Sequence, residues 1–268
     1  MKFSLRCEHG KNRDGAESFD HYFAGIYGGR WPALKAALRE DPRKSVIKNP
    51  FGLQDYALDE ASLYPAKWLD VHAGMAIADL CASPGGKSLA SIFKVKGKGR
   101  FHCNDLSSAR VKRLLAVLHD CVPEEVLMGV RVTTGDASRF GLRHAGEFDR
   151  VLVDAPCSGE RHLLASPREL SRWSEKSSKR LAVRQHALVC AGFDSLVPGG
   201  RMVYSTCSIS PHENDAVVDK ILKSREGSVR VVPVREEVGE ATRHGWILLP
   251  DVTGCGPIYF SVLERADG

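Results

Sequence analysis

The chain has 268 residues, 43% of them hydrophobic and 26% charged, with a net charge of +5; that is long enough to bury a substantial core in one α/β domain or two small ones. No run is apolar enough to span a bilayer, and the acidic Glu8, Asp14, Glu17 and Asp20 near the start argue against a signal peptide or an acid-poor transit peptide in this chain. The eight cysteines are dispersed, with no C-x-x-C pair or clustered Cys/His spacing, which excludes a disulfide framework and a structural zinc site and fits a reducing compartment.

In chain order, residues 1–70 read as a helical, loop-rich segment packed on the core, with "FDHYFAGIYGGRWPALKAALRE" as its best-patterned piece. Its Tyr22, Tyr27 and Trp31 either stack on a base or form a local apolar cluster. Residues 71–268 form the core. There, "MAIADLC" (75–81), "GRFHCND" (99–105), "VRVTTGD" (130–136), "FDRVLVDAP" (148–156) and "GRMVYSTC" (200–207) are short apolar runs of the kind that suits parallel strands covered on both faces. Between them, helical spacing appears over 107–118, with Ser107 as a candidate N-cap, over 181–196 before a "PGG" stop, and over 213–224. The repeating β-α order predicts a doubly wound, mostly parallel sheet. "PIYFSVL" (257–263) follows "VRVVPV" (229–234) with no convincing helix between them, and is read as the one antiparallel strand near the C-terminus.

Two features of this layout carry chemistry. "DLCASPGGKSLASIF" runs from a strand end through Pro84, Gly85 and Gly86 into a helix. Glycines there let a ligand approach the backbone, and the helix start offers free N–H groups. The pattern is neither G-x-G-x-x-G nor G-x-x-x-x-G-K-[ST], which favours a ligand with a carboxylate or ribose over a pyrophosphate. A tight turn that simply needs glycine would look the same. Asp79, Asp105, Asp136 and Asp154, however, recur at successive strand ends, which converge on one crevice in an open parallel sheet.

Cysteines also end two of the runs, Cys157 in "VLVDAPCSGE" and Cys207 in "YSTCSISPHEND". Either alone reads as a small core filler. Together, "DLCASPGGKS", "NDLSSAR", "DAPCSGERH" and "YSTCSISPHEND" resemble the motifs of the Nop/Sun family of S-adenosylmethionine-dependent RNA cytosine-5 methyltransferases. "YGGRWPALKAAL", "YALDEASLYPA" and "GPIYFSVL" look most like the mitochondrial ribosomal-RNA branch. The resemblance runs from about Phe19 to the C-terminus.

It implies a Rossmann-like class I methyltransferase fold for 71–268, S-adenosyl-L-methionine as cofactor, and methyl transfer to C5 of a cytidine in RNA, most like small-subunit ribosomal RNA. By the same resemblance Cys207 attacks C6 of the base and Cys157 assists proton removal or product release. Gly85, Gly86 and Lys87 contact the cofactor's methionine end, Asp105 its ribose, Arg110 supports that pocket, Asp136 faces the adenine, and Asp154 sits between cofactor and base. Cys81, Pro84 and Ala137 complete the cofactor set. Lys87 and Asp154 act either directly in catalysis or as a structural ion pair, and Glu213 and Asn214 orient the nucleophile's loop. Two positions depart from the family pattern: Ser83 replaces a common Ala, and Asp215 a more usual Glu.

Residues 161–184 carry a net charge of +5. Arg168, Arg172, Lys176, Arg180 and Arg184 recur every fourth residue, so one helix over 167–184 would align them as a stripe for RNA phosphates, joined by Arg161, or as a solvated face. "KVKGKGR" (94–100) is expected as an exposed turn. The reactive carbon favours an unpaired or flipped-out cytidine. No metal and no membrane are expected. With no appended RNA-binding module, target choice would come from the core, the N-terminal segment, or a protein partner or pre-ribosomal particle. The competing readings are the same chemistry on transfer RNA or DNA, and a catalytically silent assembly factor. The initiating Met favours a cytoplasmic protein, with the mitochondrial matrix as the alternative.

Overall fold

The computed structural model describes residues 14–267. Cys7 lies outside them. The chain opens with α1 (Gly15–Tyr27) and α2 (Trp31–Ala37), an antiparallel hairpin of β1 (Lys44–Ile47) and β2 (Tyr56–Asp59), and α3 (Leu63–Trp68). The N-terminal stretch thus adds a two-stranded sheet to the helices its sequence suggested.

The parallel part follows as β3 (Ala76–Asp79), α4 (Gly86–Lys94), β4 (Arg100–Asp105), α5 (Ser108–Cys121), the short α6 (Glu124–Leu127), β5 (Val130–Thr134), α7 (Phe140–Arg143) and β6 (Phe148–Asp154). After it come α8 (Glu160–Ala165), α9 (Pro167–Leu170), α10 (Glu175–Asp194), β7 (Leu196–Thr206) and α11 (Asp215–Ser224). The chain ends with β8 (Val229–Val232), β9 (Glu240–Ala241), β10 (Trp246–Leu248), α12 (Pro250–Thr253) and β11 (Ile258–Arg265).

Nine of these strands form one sheet ordered β5-β4-β3-β6-β7-β11-β10-β9, with β8 also on β11. The doubly wound, mostly parallel sheet is therefore as expected. Its antiparallel part is larger than the single strand foreseen: β11 inserts beside β7, and β8, β9 and β10 pair antiparallel around it. A one-turn helix, α12, also stands where no helix was expected. "PGG" does not stop α10 but lies inside β7, where Leu196 to Arg201 pair with Phe148 to Arg150; the extra residues bulge out of register.

Side chains alternate along the strands to build cores on both faces. Val151, Val153, Met202 and Tyr204 belong to the core that includes α1 and α10, while Leu152, Val203, Phe260 and Val262 belong to the core that includes α4 and α5, all buried. Apolar residues on both faces explain the unbroken apolar runs. The chain winds outward from β3 through β4 and β5, then returns to β6 and β7 on the other side. Strand order thus reverses between β3 and β6, which is where a crevice opens at the carboxyl ends. No helix among the described residues is long and apolar enough to cross a membrane.

Candidate active site

The four strand-end carboxylates line one groove over the carboxyl edge of the sheet. Asp79 and Asp154 end β3 and β6, on either side of the reversal; Asp105 ends β4, and Asp136 follows β5. Two adjoining cavities of about 150 and 280 Å3 share Cys81. The first is mainly apolar, walled by Leu106, Ala137, Pro156 and Leu188, with Asp105, Arg110 and Asp136 on its rim. The second is more polar, lined by Asp79, Ser83, Pro84, Gly86, Lys87 and Asp154, with Tyr56 and Ser62 from the N-terminal stretch.

The turn into α4 explains the glycines. Gly85 has φ +121°, in the region that disfavours side chains. A Cβ on Gly86 would come within 2.9 Å of the Tyr56 ring. Both residues therefore serve close packing around the pocket floor. Asp105 accepts hydrogen bonds from Arg110 Nε at 3.0 Å, Ser83 N–H at 3.3 Å and Ser107 N–H at 3.2 Å. Ser83, one of the departures, donates its hydroxyl to Arg110 O at 2.8 Å. It thereby braces the same pocket.

At the polar end Lys87 Nζ lies 2.7 Å from Asp154 Oδ2, and Ser205 Oγ donates to Asp154 Oδ1 at 2.7 Å. Burial lowers the Lys87 pKa, but Asp154, Asp79 and Cys207 together outweigh it and leave the ammonium pKa raised. Asp79 is buried, and that burial pushes its carboxyl up to about 7 against the opposing Ser88 hydroxyl bond. Cys81 is pushed up by burial and by the carboxylates of Asp79, Asp154 and Asp105, which makes it an inert wall.

The two motif cysteines meet. Cys157 Sγ lies 2.8 Å from Cys207 Sγ, although fifty residues and one helical crossover separate them. The bond to Cys207 raises the Cys157 pKa well above the usual thiol value, with burial, Glu160 and Glu213 adding to it. Cys157 therefore carries a proton at neutral pH.

Each cysteine loop is fixed by buried hydrogen bonds. Thr206 Oγ1 donates to Asn214 Oδ1 at 2.7 Å, and Asn214 Nδ2 donates to Ser208 O at 2.9 Å, which brackets Cys207 from both sides. Glu213 Oε2 accepts from Ser158 N–H and from Gln185 Nε2, each at 2.9 Å, and so holds the Cys157 loop. Asp215, the second departure, faces elsewhere. It accepts from Thr242 Oγ1, Tyr259 OH and the N–H groups of Arg243 and His244, anchoring the β9–β10 connection and not the thiol.

Several side chains outside the motifs complete the site. Tyr27 OH donates to Ile209 O at 2.7 Å, and Tyr22 OH pairs with Ser210 Oγ at 3.1 Å, so α1 braces the loop after Cys207. Tyr22, Tyr27 and Trp31 belong to an aromatic cluster with Phe19, Phe23 and Trp173. The alternative of a local apolar cluster is the one the fold adopts. Gln185 had only helix periodicity to announce it; Glu160, inside "DAPCSGERH", and Arg184, which belongs to the basic stripe and lines the apolar cavity, carried no sign of these positions.

The basic stripe is not one helix. Ser166 caps α9 by accepting from Glu169 N–H, Trp173 is buried in the aromatic cluster, and α10 starts anew at Glu175. Gly15 packs so closely on the intervening turn that a Cβ there would lie 2.3 Å from Ser171 O. Arg168 and Arg172 therefore stand apart from Lys176 and Arg180, though all four are exposed. Arg161 pairs with Asp41 at 3.3 Å. "KVKGKGR" forms the expected turn between α4 and β4, at the end of the sheet opposite the groove. Among the described residues no cluster of His, Cys, Asp or Glu is arranged to hold a metal ion.

Residues 66–264 match the profile of the family described as 16S rRNA methyltransferase RsmB/F. The chain is 42% identical over 233 residues to the 5-cytosine rRNA methyltransferase NSUN4 of Bos taurus, covering 80% of this chain and 60% of that protein. It is 37% identical over 234 residues to the Xenopus laevis protein of the same name, covering 80% of this chain and 57% of the frog one. The chain thus spans little more than half of these relatives. A solved methyltransferase homolog protein from Pyrococcus horikoshii shares the fold, with a TM-score of 0.75 at 21% identity over 91% of this chain and 94% of that one. With the profile spanning most of the sheet, the groove and both cysteines, the chain belongs to the RsmB/F family of 16S rRNA methyltransferases.

Proposed function

We propose that this protein transfers a methyl group from S-adenosyl-L-methionine to C5 of a cytidine in RNA, small-subunit ribosomal RNA being its substrate. The observation that carries the reading is the 2.8 Å contact between Cys157 Sγ and Cys207 Sγ, beside a groove lined by Pro156 and Asp154. The groove's donor set suits the cofactor. The slot of Leu106, Ala137, Pro156 and Leu188 fits a flat purine, Asp105 is placed for ribose hydroxyls, and Asp79, Lys87 and the α4 start suit an amino acid's charged ends. When bound, S-adenosylmethionine supplies an electrophilic methyl group.

C5 of cytosine is a weak nucleophile, and the chain's thiols remedy that. Cys207 gives up its thiol proton to solvent, its thiolate sulfur bonds to C6, and the C5=C6 electrons become available at C5 to take the methyl. For release, the C5–H electrons re-form C5=C6 while the S–C6 pair leaves on Cys207 Sγ. Cys157, protonated and in contact with that sulfur, donates to it, and the Cys157 thiolate so formed accepts the C5 proton. Asp154, held by Lys87 and Ser205, would sit between the cofactor and the target base. Arg168, Arg172, Lys176 and Arg180 bind phosphates, while Arg161, engaged with Asp41, contributes less. A reducing compartment, cytoplasm or mitochondrial matrix, keeps both thiols free.

The test is transfer of labelled methyl to ribosomal RNA from cells lacking the gene. Cys207→Ala abolishes transfer, and Cys157→Ala leaves a covalent protein–RNA adduct. Full activity of the Cys207 variant overturns the mechanism.

A further inference from the structure

Glu160 is fully buried at the first position of α8, three residues beyond Cys157. Its carboxylate spans both cysteine loops. Oε1 accepts from Ser158 Oγ at 2.5 Å and from Ser208 Oγ at 2.9 Å, while Oε2 accepts from Ile209 N–H at 3.0 Å. Ser158 and Ser208 each directly follow one cysteine of the pair, and their hydroxyls are 3.2 Å apart.

Among the described residues no lysine, arginine or histidine pairs with Glu160, and burial together with nearby Glu213 pushes its carboxyl up to about 7. A carboxylate buried without a cation opposes folding, and an apolar residue of similar volume would be easier to accommodate. Fold stability therefore does not account for Glu160, whereas its bonds account for the meeting of the thiols. We propose that Glu160 is a positioning residue that ties the Cys157 loop to the Cys207 loop and sets the distance between the two sulfurs. Glu213 holds the Cys157 loop against α10 through Ser158 N–H and Gln185. Glu160 is the carboxylate that accepts the hydroxyls of both serines that follow the cysteines.

This inference rests on reading the cysteines as the working pair, but its test needs no methyl transfer, so the two fail separately. Phenylarsine oxide closes a ring over two adjacent thiols, forming two As–S bonds and releasing its oxygen as water with the two thiol protons. The full-length protein is titrated with it, and bound arsenical is read by intact mass after washing, with Cys157→Ser defining background.

Wild type is expected to retain one arsenical above background. Glu160→Leu, which keeps the volume and removes the bonds, is expected to bind at least tenfold more weakly at an unchanged melting temperature. Glu160→Gln, which keeps reach and hydrogen bonding, is expected to restore capture to within about threefold, as a merely space-filling role would not require. Ser158→Ala/Ser208→Ala, which removes both hydroxyl arms and leaves the carboxylate, is expected to weaken capture as Glu160→Leu does, and it decides the matter if Glu160→Leu does not fold. Wild-type capture by either Glu160→Leu or the double serine variant overturns the proposal.

Discussion

Lys87 Nζ and Asp154 Oδ2 meet at 2.7 Å across the point where the strand order of the sheet reverses. The Lys87 side chain is only 12% exposed and Asp154 30%, so the pair is partly shielded from solvent. Asp154→Asn leaves a mostly buried ammonium without its counter-ion. The full penalty for breaking a buried pair is about 3–5 kcal/mol, and solvent access at Asp154 reduces it to roughly 2 kcal/mol. A denaturant midpoint measures this loss. Methyl transfer by the folded variant should drop at least a hundredfold, and near-normal transfer would make the pair purely structural.

Glu160 is pushed up to about 7 from its ordinary 4.5. The native state therefore binds more protons than the unfolded chain between these values, and stability falls as pH rises through that window. The full contribution is roughly 3 kcal/mol, lost on going from below pH 4.5 to above pH 7. Glu160→Gln removes this titration and keeps the hydrogen-bonding reach. The stability of the variant relative to wild type should climb by that amount across the window in urea unfolding series at several pH values. A difference that does not change with pH would show that Glu160 titrates normally.

Much of the site was legible because strand-end residues are both local in sequence and convergent in space. Asp79, Asp105, Asp136 and Asp154 needed only the β-α alternation to be placed on one edge. The meeting of Cys157 and Cys207 followed from their positions after adjacent parallel strands, β6 and β7. What escaped depends on contacts between distant segments. The split of the basic stripe at residues 171–174 is imposed by Gly15 and the aromatic cluster around Trp173, neither of which is signalled within the stripe. Glu160 reads in sequence as an ordinary acidic helix start, and only the arrival of the Ser208 loop gives it a second partner. Of the four antiparallel strands only β11 was foreseen as one; β9 and β10, no longer than three residues, were too short for periodicity to reveal.

Asp215 separates fold support from chemistry. Its four accepted hydrogen bonds to Thr242, Arg243, His244 and Tyr259 secure the outer antiparallel strands against α11. Asp215→Ala should cost about 2–3 kcal/mol, since it leaves several donors without their charged acceptor. Protection from hydrogen exchange should fall over residues 240–246 first. The rate of methyl transfer per folded molecule should stay within about threefold, because Thr206, Ser208 and Asn214 hold Cys207 without it. A larger loss of rate in the folded variant would tie the Asp215 position to the nucleophile after all.

Asp105 offers the cleanest reading of the groove, because it lies apart from the cysteines and their loops. Its carboxylate already accepts from Arg110, Ser83 and Ser107, and two oxygens have room for about one further donor. Asp105→Ala removes the group proposed to bind a ribose hydroxyl and releases Arg110. Binding of S-adenosylhomocysteine, followed by calorimetry, should weaken by about 10–100-fold, in line with roughly 1.5–3 kcal/mol for a bond to a charged acceptor. Leu188→Ala, which opens the apolar wall on α10, should cost less, about tenfold. Arsenical capture by the Cys157–Cys207 pair should be untouched in both variants, since no hydrogen bond joins either side chain to the cysteine loops. Normal affinity in Asp105→Ala would place the cofactor elsewhere than this groove.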